Sequence, residues 1–584
     1  MPQAARSTPA AGEAARAGGE FFAFPAEANH RRYEALRAFL YEGRSGAEAA
    51  ARVGWSIETL RSAVRDFRGG KTGFFATPRP GPVSAPAKEA AREAIVELRR
   101  QGLSAIEISE ALEKTTTPLN RTGVAEVLRE EGLPRLWPRP LDARHPLGRN
   151  ALARAEAIDW GLFPARSESR VAGLLLAVPE LVALDVPGIV AQAGYPSTKM
   201  ISAMSYVLSL VALKLTGMRR VSHVDDLAAD PGAALFASLV ALPKTTALTT
   251  YSYRLSHERQ LALLSALGRK MLETDLIADR AGDLDLDFHS IMHWGEDVAL
   301  EKHYVPSRSQ RSRSVLSFFA QDHSTHNLIY ANADLTKAAQ AREVVVFCEH
   351  WKSLTGRYPE LVVMDQKVTT HAVLAELDEM GVGFITLRMR SPSLVRHIES
   401  IRASEWKTVQ LDRQGAYKTP KVVDEMVSVS DYPMPIRQLV VSGLGREAPT
   451  VILTNNTRIS AKAVIERYAG RMTIEQRLGE SIRSFHLDAL SSAVPLNVDL
   501  DVVLSVLAGA VCAALRRRLS GYHSATPDTI QRRFLMTGGV ITIRPDSVVV
   551  RLKRRTYSPV LRQAAIPETA VPWWGGRRLR FEYD

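Results

Sequence analysis

Residues 283–294, DLDLDFHSIMHW, alternate polar and apolar side chains, as a β-strand with one buried face requires. The acidic residues Asp285 and Asp287 share a face, because side chains two apart point the same way. The stretches that follow keep the strand character. SRSVLSFFAQDH (312–323) and HNLIYANA (326–333) are separated by a turn-like Ser-Thr and read as an antiparallel meander. A helical pattern comes next (335–356), then the short apolar run ELVVMD (360–365), a second helix (369–381) and a further strand, VGFITLRM (382–389).

This order, β-β-β-α-β-α-β, is that of an RNase H-like core: α/β, with a mixed five-stranded sheet and helices on both faces. In such a sheet the first and fourth strands are neighbours. Asp365 ends the fourth strand, at the edge where α/β sheets expose their ligand sites. It would therefore meet Asp285 or Asp287 of the first strand, and the alternation alone does not choose between those two. The next core helix is delayed. Residues 390–460 hold the strand-like runs EWKTVQLD, KVVDEMVSV, IRQLVVSG and TVILTNN, read as a β-rich insertion. The helix that resumes the core carries YAGRMTIEQR (468–477), in which Tyr468, Arg471 and Glu475 fall on one stripe at three- and four-residue spacing.

Asp287, Asp365 and Glu475 thus come from separate elements to one edge. Three carboxylates suit hard cations with oxygen ligands, Mg²⁺ or Mn²⁺. Two such ions are the apparatus of phosphodiester hydrolysis and transfer. His289, His293 and Glu296 do not read as zinc ligands, because HSIMHWGE lacks the HExxH spacing. Neither a Walker loop nor a dinucleotide fingerprint occurs in the sequence, and Trp406 reads as an ordinary strand residue.

Outward from the core, residues 151–280 are helical and apolar, a scaffold without a cluster of chemical groups. Residues 461–525 contain the Glu475 helix and an apolar helix (498–519), and 526–584 form a basic, strand-rich tail. Toward the N-terminus, residues 1–28 are rich in Ala, Gly and Pro and are expected to be disordered. Residues 29–75 then show three helical segments with a Gly-containing turn (GAEAAARVG, SIETLRSAVRDFR), and 84–134 repeat the pattern. Each reads as a helix-turn-helix unit, so an all-α tandem pair precedes the core. Arg61, Arg65, Asn120, Arg121 and Arg129 are the expected DNA contacts. A basic linker, 135–150, follows.

Composition agrees with a nucleic-acid partner. The 584 residues carry 75 Lys and Arg against 63 Asp and Glu, a net charge of +12, which favours a polyanion. The two cysteines, Cys348 and Cys512, allow neither a disulfide framework nor a zinc finger and suggest a reducing compartment. Apolar runs near 201–213 and 502–515 are shorter than a membrane span needs, and the N-terminal residues lack the apolar core of a signal peptide. No membrane association is expected.

Taken together, LDLDFHSI, LVVMDQK, ILTNNT and YAGRMTIEQR with FHLDALSS resemble a DDE transposase of bacterial insertion sequences, in the group whose β-rich insertion precedes the glutamate. The helix resembles that family's Y-R-E-K signature. Tyr468, Arg471 and Glu475 match its spacing, whereas the lysine position is Ile482, followed by Arg483. The resemblance implies binding of terminal repeats in double-stranded DNA, metal-dependent cleavage and strand transfer. It also implies a homodimer or higher oligomer in a synaptic complex and a cytoplasmic, nucleoid-associated location. By the same resemblance Arg471 and Tyr468 hold DNA phosphate, and Arg483 or Lys367 stands in for the missing lysine. Two rival readings are a non-catalytic helix-turn-helix DNA-binding descendant and an RNase H-fold nuclease that cuts without joining.

Overall fold

Serine hydroxyls open several of the helices by accepting a backbone N–H that the first turn leaves unpaired. In the computed structural model, which describes residues 25–74, 86–133, 155–278, 280–292, 301–305, 310–366, 368–412, 417–445, 448–487 and 495–583, the chain divides into two units, 1–149 and 150–584. The expected disordered tail (but for its last residues), the basic linker, His293, Glu296 and Lys367 lie outside the described residues.

The first unit contains two three-helix groups. In one, α1 (Ala28–Leu36) runs on into a wider turn, Arg37–Tyr41, and is followed by α2 (Gly46–Arg52) and α3 (Ile57–Arg68). Ser45 and Glu48 cap α2 reciprocally, and Ser56 caps α3. Between α2 and α3 the chain reverses at Gly54, whose φ of 72° suits glycine. Leu36, Ala49, Ala50, Leu60 and Val64 close a small core. In the second group, α4 (Pro86–Arg100), α5 (Ala105–Glu113) and α6 (Arg121–Glu130) bury Ile95, Ile108, Leu112, Val124 and Val127. Its connection, Lys114–Asn120, is longer than the turn between α2 and α3.

The second unit begins with β1 (Arg166–Ser169) and a set of helices that includes α7 (Ala203–Leu215) and α8 (His257–Glu273). The strands β2 (Asp283–Met292), β3 (Lys302–Val305), β4 (Gln310–Asp322) and β5 (Leu328–Asn332) follow. After them come α9 (Glu343–Thr355), β6 (Leu361–Met364), α10 (His371–Glu379) and β7 (Gly383–Leu387). The strands line up as β5-β4-β2-β6-β7. β2 runs antiparallel to β4 and parallel to β6, and β6 runs parallel to β7. This arrangement is compatible with the RNase H-like core expected from the sequence.

Two differences extend that core. The hairpin strand β3 pairs with β4 and was not expected. After α11 (Pro392–Ser400), the strands β8 (Lys407–Thr408), β9 (Lys421–Val427), β10 (Ile436–Ser442) and β11 (Thr450–Thr454) continue the same sheet. β11 pairs antiparallel with β7, so the sheet has ten strands rather than five. The physical reason is the β7 edge. Uncovered, it would present a row of unpaired backbone donors and acceptors, and β11 satisfies them.

α12 (Ala461–Gly470) and α13 (Met472–Phe485) come next, and then α14 (Pro495–Arg518). Part of α14, Val498–Arg518, is long and apolar enough to cross a bilayer, longer than the apolar run read from sequence. Yet 83% of its most apolar window is buried inside the unit, against α7, α8 and β5. The strand-rich C-terminal segment builds a second sheet with β1, in the order β1-β12-β13-β15-β14. Its strands are β12 (Gly539–Ile543), β13 (Ser547–Leu552), β14 (Thr569–Ala570) and β15 (Arg578–Tyr583). It is fastened to the helical region. Trp574 Nε1 donates to the Leu235 carbonyl at 2.9 Å, and Gly173 lies so close to the Phe534 carbonyl that an added Cβ would stand 2.0 Å from it.

Candidate active site

Strand β2 separates its residues by chemistry. Leu284 and Leu286 enter the main core with Val362 and Met364 of β6. Asp283, Asp285 and Asp287 occupy the opposite face, with Val363 of β6 opposite Asp285 in register. The parallel register pairs Leu286 with Met364. One step further, beyond the last paired residues, Asp287 stands opposite Asp365, on strands about 4.8 Å apart. Two carboxylates therefore meet at the C-terminal end of two parallel strands, on one face.

α12 and α13 cover that face. They are joined at Arg471 by tightened turns, in which Arg471 N–H donates to the Tyr468 carbonyl and Ile474 N–H to the Arg471 carbonyl. The single ideal helix assumed from the sequence is thus two helices with a junction inside the motif. The stripe survives the junction. Arg471 Nη2 donates to Glu475 Oε1 at 2.5 Å, its Nη1 lies 3.7 Å from Asp287 Oδ2, and its guanidinium lies 5.8 Å from the Tyr468 ring centroid. Gly470 permits the close approach, since a Cβ there would come within 2.6 Å of the His323 ring.

Arg471 is only 5% exposed, and its Nε and Nη1 have no hydrogen-bond acceptor among the described residues. Burial opposes its charge, but the carboxylates of Asp287, Glu475 and Asp365, with Tyr468, hold its pKa above the usual arginine value. Asp287 shows the converse. Burial, reinforced by the charges of Glu475 and Asp365 and opposed by Arg471, lifts its carboxyl to about 7. Burial likewise pushes the Tyr468 phenol up to about 12, so it remains a hydrogen-bond donor at neutral pH.

Asp285 and Asp287 differ in their partners. Asp285 is fully buried and already engaged: Arg467 Nη1 donates to it at 2.7 Å, and His323 Nδ1 pairs with it at 3.1 Å. Arg467 also holds Asp283 through Nε at 2.8 Å and Nη2 at 2.5 Å. Asp287 is the strand acid that faces Glu475 and Asp365. Sequence reading missed Arg467 and His323. The signal for Arg467 was its place four residues before Arg471, opposite a strand carrying three acids at two-residue spacing.

The other predicted residues are dispersed. Arg483 is exposed on α13, and the neighbouring Ile482 packs against the main core. Arg61 and Arg65 lie exposed on α3, the latter donating to Ser62 Oγ at 3.1 Å. Arg121 and Arg129 are exposed on α6, whereas the Asn120 side chain is taken up in capping that helix, accepting from Gly123 N–H at 2.8 Å. Trp406 packs beside the small core of Leu394, Val423, Val440 and Val451.

The donor chemistry suits a hard divalent cation: carboxylate oxygens, two of them at adjacent register positions and one across on α13. Among the described residues, however, no three acidic, imidazole or thiol groups converge closely enough to enclose an ion. The Arg471 guanidinium bridges Asp287 and Glu475 instead. Its buried Nε and Nη1 keep unused donor capacity, the kind an anionic oxygen would satisfy.

No protein-family model matches the chain, and no curated protein sequence is similar to it. Among solved structures, the Mos1 strand transfer complex is similar at 10% identity over 63% of this chain and 80% of that one, with a TM-score of 0.12. A pre-cleavage Mos1 transpososome is similar at 10% identity over 62% and 78%, also with a TM-score of 0.12. At that TM-score the likeness decides neither fold nor function.

Proposed function

We propose that the chain is a DDE-type transposase, which binds the terminal repeats of an insertion sequence in double-stranded DNA, cuts there and joins the freed end to a target. The observation that carries this reading is the meeting of Asp287 and Asp365 at adjacent register positions, under the helix pair that brings Arg471 and Glu475. Asp287, Asp365 and Glu475 would hold Mg²⁺ or Mn²⁺. When bound, a pair of such ions supplies activation of the attacking oxygen and stabilisation of the leaving one.

The chain's own groups have separate tasks. Arg471, with two donors unspent, binds a phosphate oxygen when it releases the carboxylates. Tyr468 donates its phenolic hydrogen to the same phosphate. Arg467 fixes Asp285 and Asp283 and so keeps the strand in place beneath the helix. Exposed Arg61, Arg65, Arg121 and Arg129 on the two three-helix groups, read as helix-turn-helix units, contact the terminal repeats, with Arg483 a further phosphate contact. An oligomer that pairs two ends is the expected working form.

The test uses the full chain, Mg²⁺ and duplexes that carry the inverted repeats flanking its gene. Joined product should form with wild type and vanish with Asp365→Asn and with Glu475→Gln, while duplex binding persists. Cutting without joining would replace this reading with a nuclease. Binding with no cutting by wild type would leave a DNA-binding protein without catalysis.

A further inference from the structure

Charge in the second unit is unevenly placed. Residues 526–584 contain eleven Lys and Arg against five Asp and Glu, so one tenth of the chain carries half of the net +12. Most acids there are already occupied. Glu568 pairs with Arg578 and Arg580, Glu582 with Arg551, and Asp528 with Arg532, while Asp546 accepts from Ser547. Lys553, Arg554 and Arg555 are exposed and have no ion-pair partner among the described residues.

These residues leave the end of β13 around a surface cavity of about 490 Å³, lined by Arg554, Arg555, Thr556, Tyr557, Ser558 and Arg562, with no acidic side chain in its wall. The turn is held firmly. Arg555 N–H donates to Ser558 Oγ at 2.9 Å, and Ser558 N–H donates to the Arg555 carbonyl at 3.0 Å. The Tyr557 wall is backed by Arg533, whose guanidinium lies 5.5 Å from the rings of both Tyr557 and Tyr522.

We propose that this cradle is a second duplex-DNA contact, in the unit that carries the acids, and that it grips the phosphodiester backbone without reading sequence. The chemistry selects the ligand. Guanidinium groups bind phosphate oxygens in a forked, paired manner, and the hydroxyls of Thr556 and Tyr557 add neutral donors. A membrane surface fits poorly, because Pro559 alone supplies an aliphatic lining. The choice of DNA over other phosphates rests on the function proposed above.

The experiment measures duplex binding by the full chain against salt, comparing wild type with Arg554→Ala/Arg555→Ala and with Arg554→Lys/Arg555→Lys. Each phosphate contact contributes about 0.9 to the slope of log K against log salt. The alanine pair should lower the slope by about 1.8, a roughly twelvefold smaller affinity loss between 50 and 200 mM salt. The lysine pair should keep most of it. Inorganic phosphate at matched ionic strength should not displace the duplex, and displacement by it would overturn a backbone-tracking site in favour of a free-phosphate one. An unchanged slope in the alanine pair overturns the proposal even where cleavage still depends on Asp365 and Glu475. A lowered slope in a chain that never cuts would leave the cradle standing and remove the enzymatic reading instead.

Discussion

Replacing Asp287 by Asn should stabilise the larger unit at neutral and alkaline pH, and the gain should depend on pH in a defined way. The folded Asp287 carboxyl keeps its proton up to about 7, against an ordinary value of 3.8, because burial disfavours the anion and Glu475 and Asp365 add repulsion that Arg471 only partly offsets. Between those values the folded chain binds more protons than the unfolded chain, so raising the pH destabilises it. A difference of about three units corresponds to something on the order of 4 kcal/mol. Below pH ~4 both states hold the proton, and asparagine and aspartic acid should be nearly equivalent. Above ~7 the asparagine variant should be the more stable by most of that amount. Urea unfolding in a chelating buffer at pH 4.5 and pH 8, followed through the buried Trp351 and Trp574, reads the comparison. The difference between variant and wild type should grow with pH in favour of the variant. A difference that stays constant, or moves the other way, would refute the claim that the fold holds Asp287 against its own ionisation.

Arg467→Met should destabilise the same unit by about 3 kcal/mol, near the lower end for breaking a buried ion pair, because Asp285 keeps His323 as a partner. Adding Asp285→Asn should recover much of that loss in a double-mutant cycle, and simple additivity would count against the pairing. His257 responds to pH in the same sense, though here it is the charged form that the fold favours. Burial works to lower its pKa, but the hydrogen bond and charge of Asp499 leave it above 6.5. The stabilisation it gives is full below pH 6.5 and fades as pH rises through the higher folded value. A His257→Gln variant should lose that pH-dependent part, and an identical pH profile in the variant would argue against it.

Much of the site was legible because it rests on short periodicities. DLDLDF declares two faces of a strand, and Tyr468, Arg471 and Glu475 declare one stripe of a helix. What escaped depends on contacts between distant segments. Asp285 and Asp287 are alike in sequence, and Arg467, 182 residues away from Asp285, distinguishes them together with His323. Nothing local in EWKTVQLD or TVILTNN reveals that these strands continue the core sheet, since pairing with β7 is a property of the β7 edge. The KRRTYSP turn reads simply as basic, because its concavity arises only when β13 is followed by a turn pinned at Ser558.

A match of spacing explains why Glu475 sits where it does. Successive acids on β2 recur about every 6.6 Å along the strand, while Arg467 and Arg471 are separated by about 6 Å along the helical axis. The two ladders stay in step, with Arg467 over Asp283 and Asp285 and Arg471 beside Asp287. A different arginine spacing would leave a buried carboxylate without a partner, at a cost of several kcal/mol. Four residues beyond Arg471 the helix has advanced about another 6 Å, past the last strand acid, and there it delivers Glu475 with its side chain 52% exposed. The carboxylate farthest along the ladder is therefore the one that reaches solvent beside Asp287 and Asp365. The ion pairs that anchor the helix pair to the sheet also determine which acids remain free to bind something else.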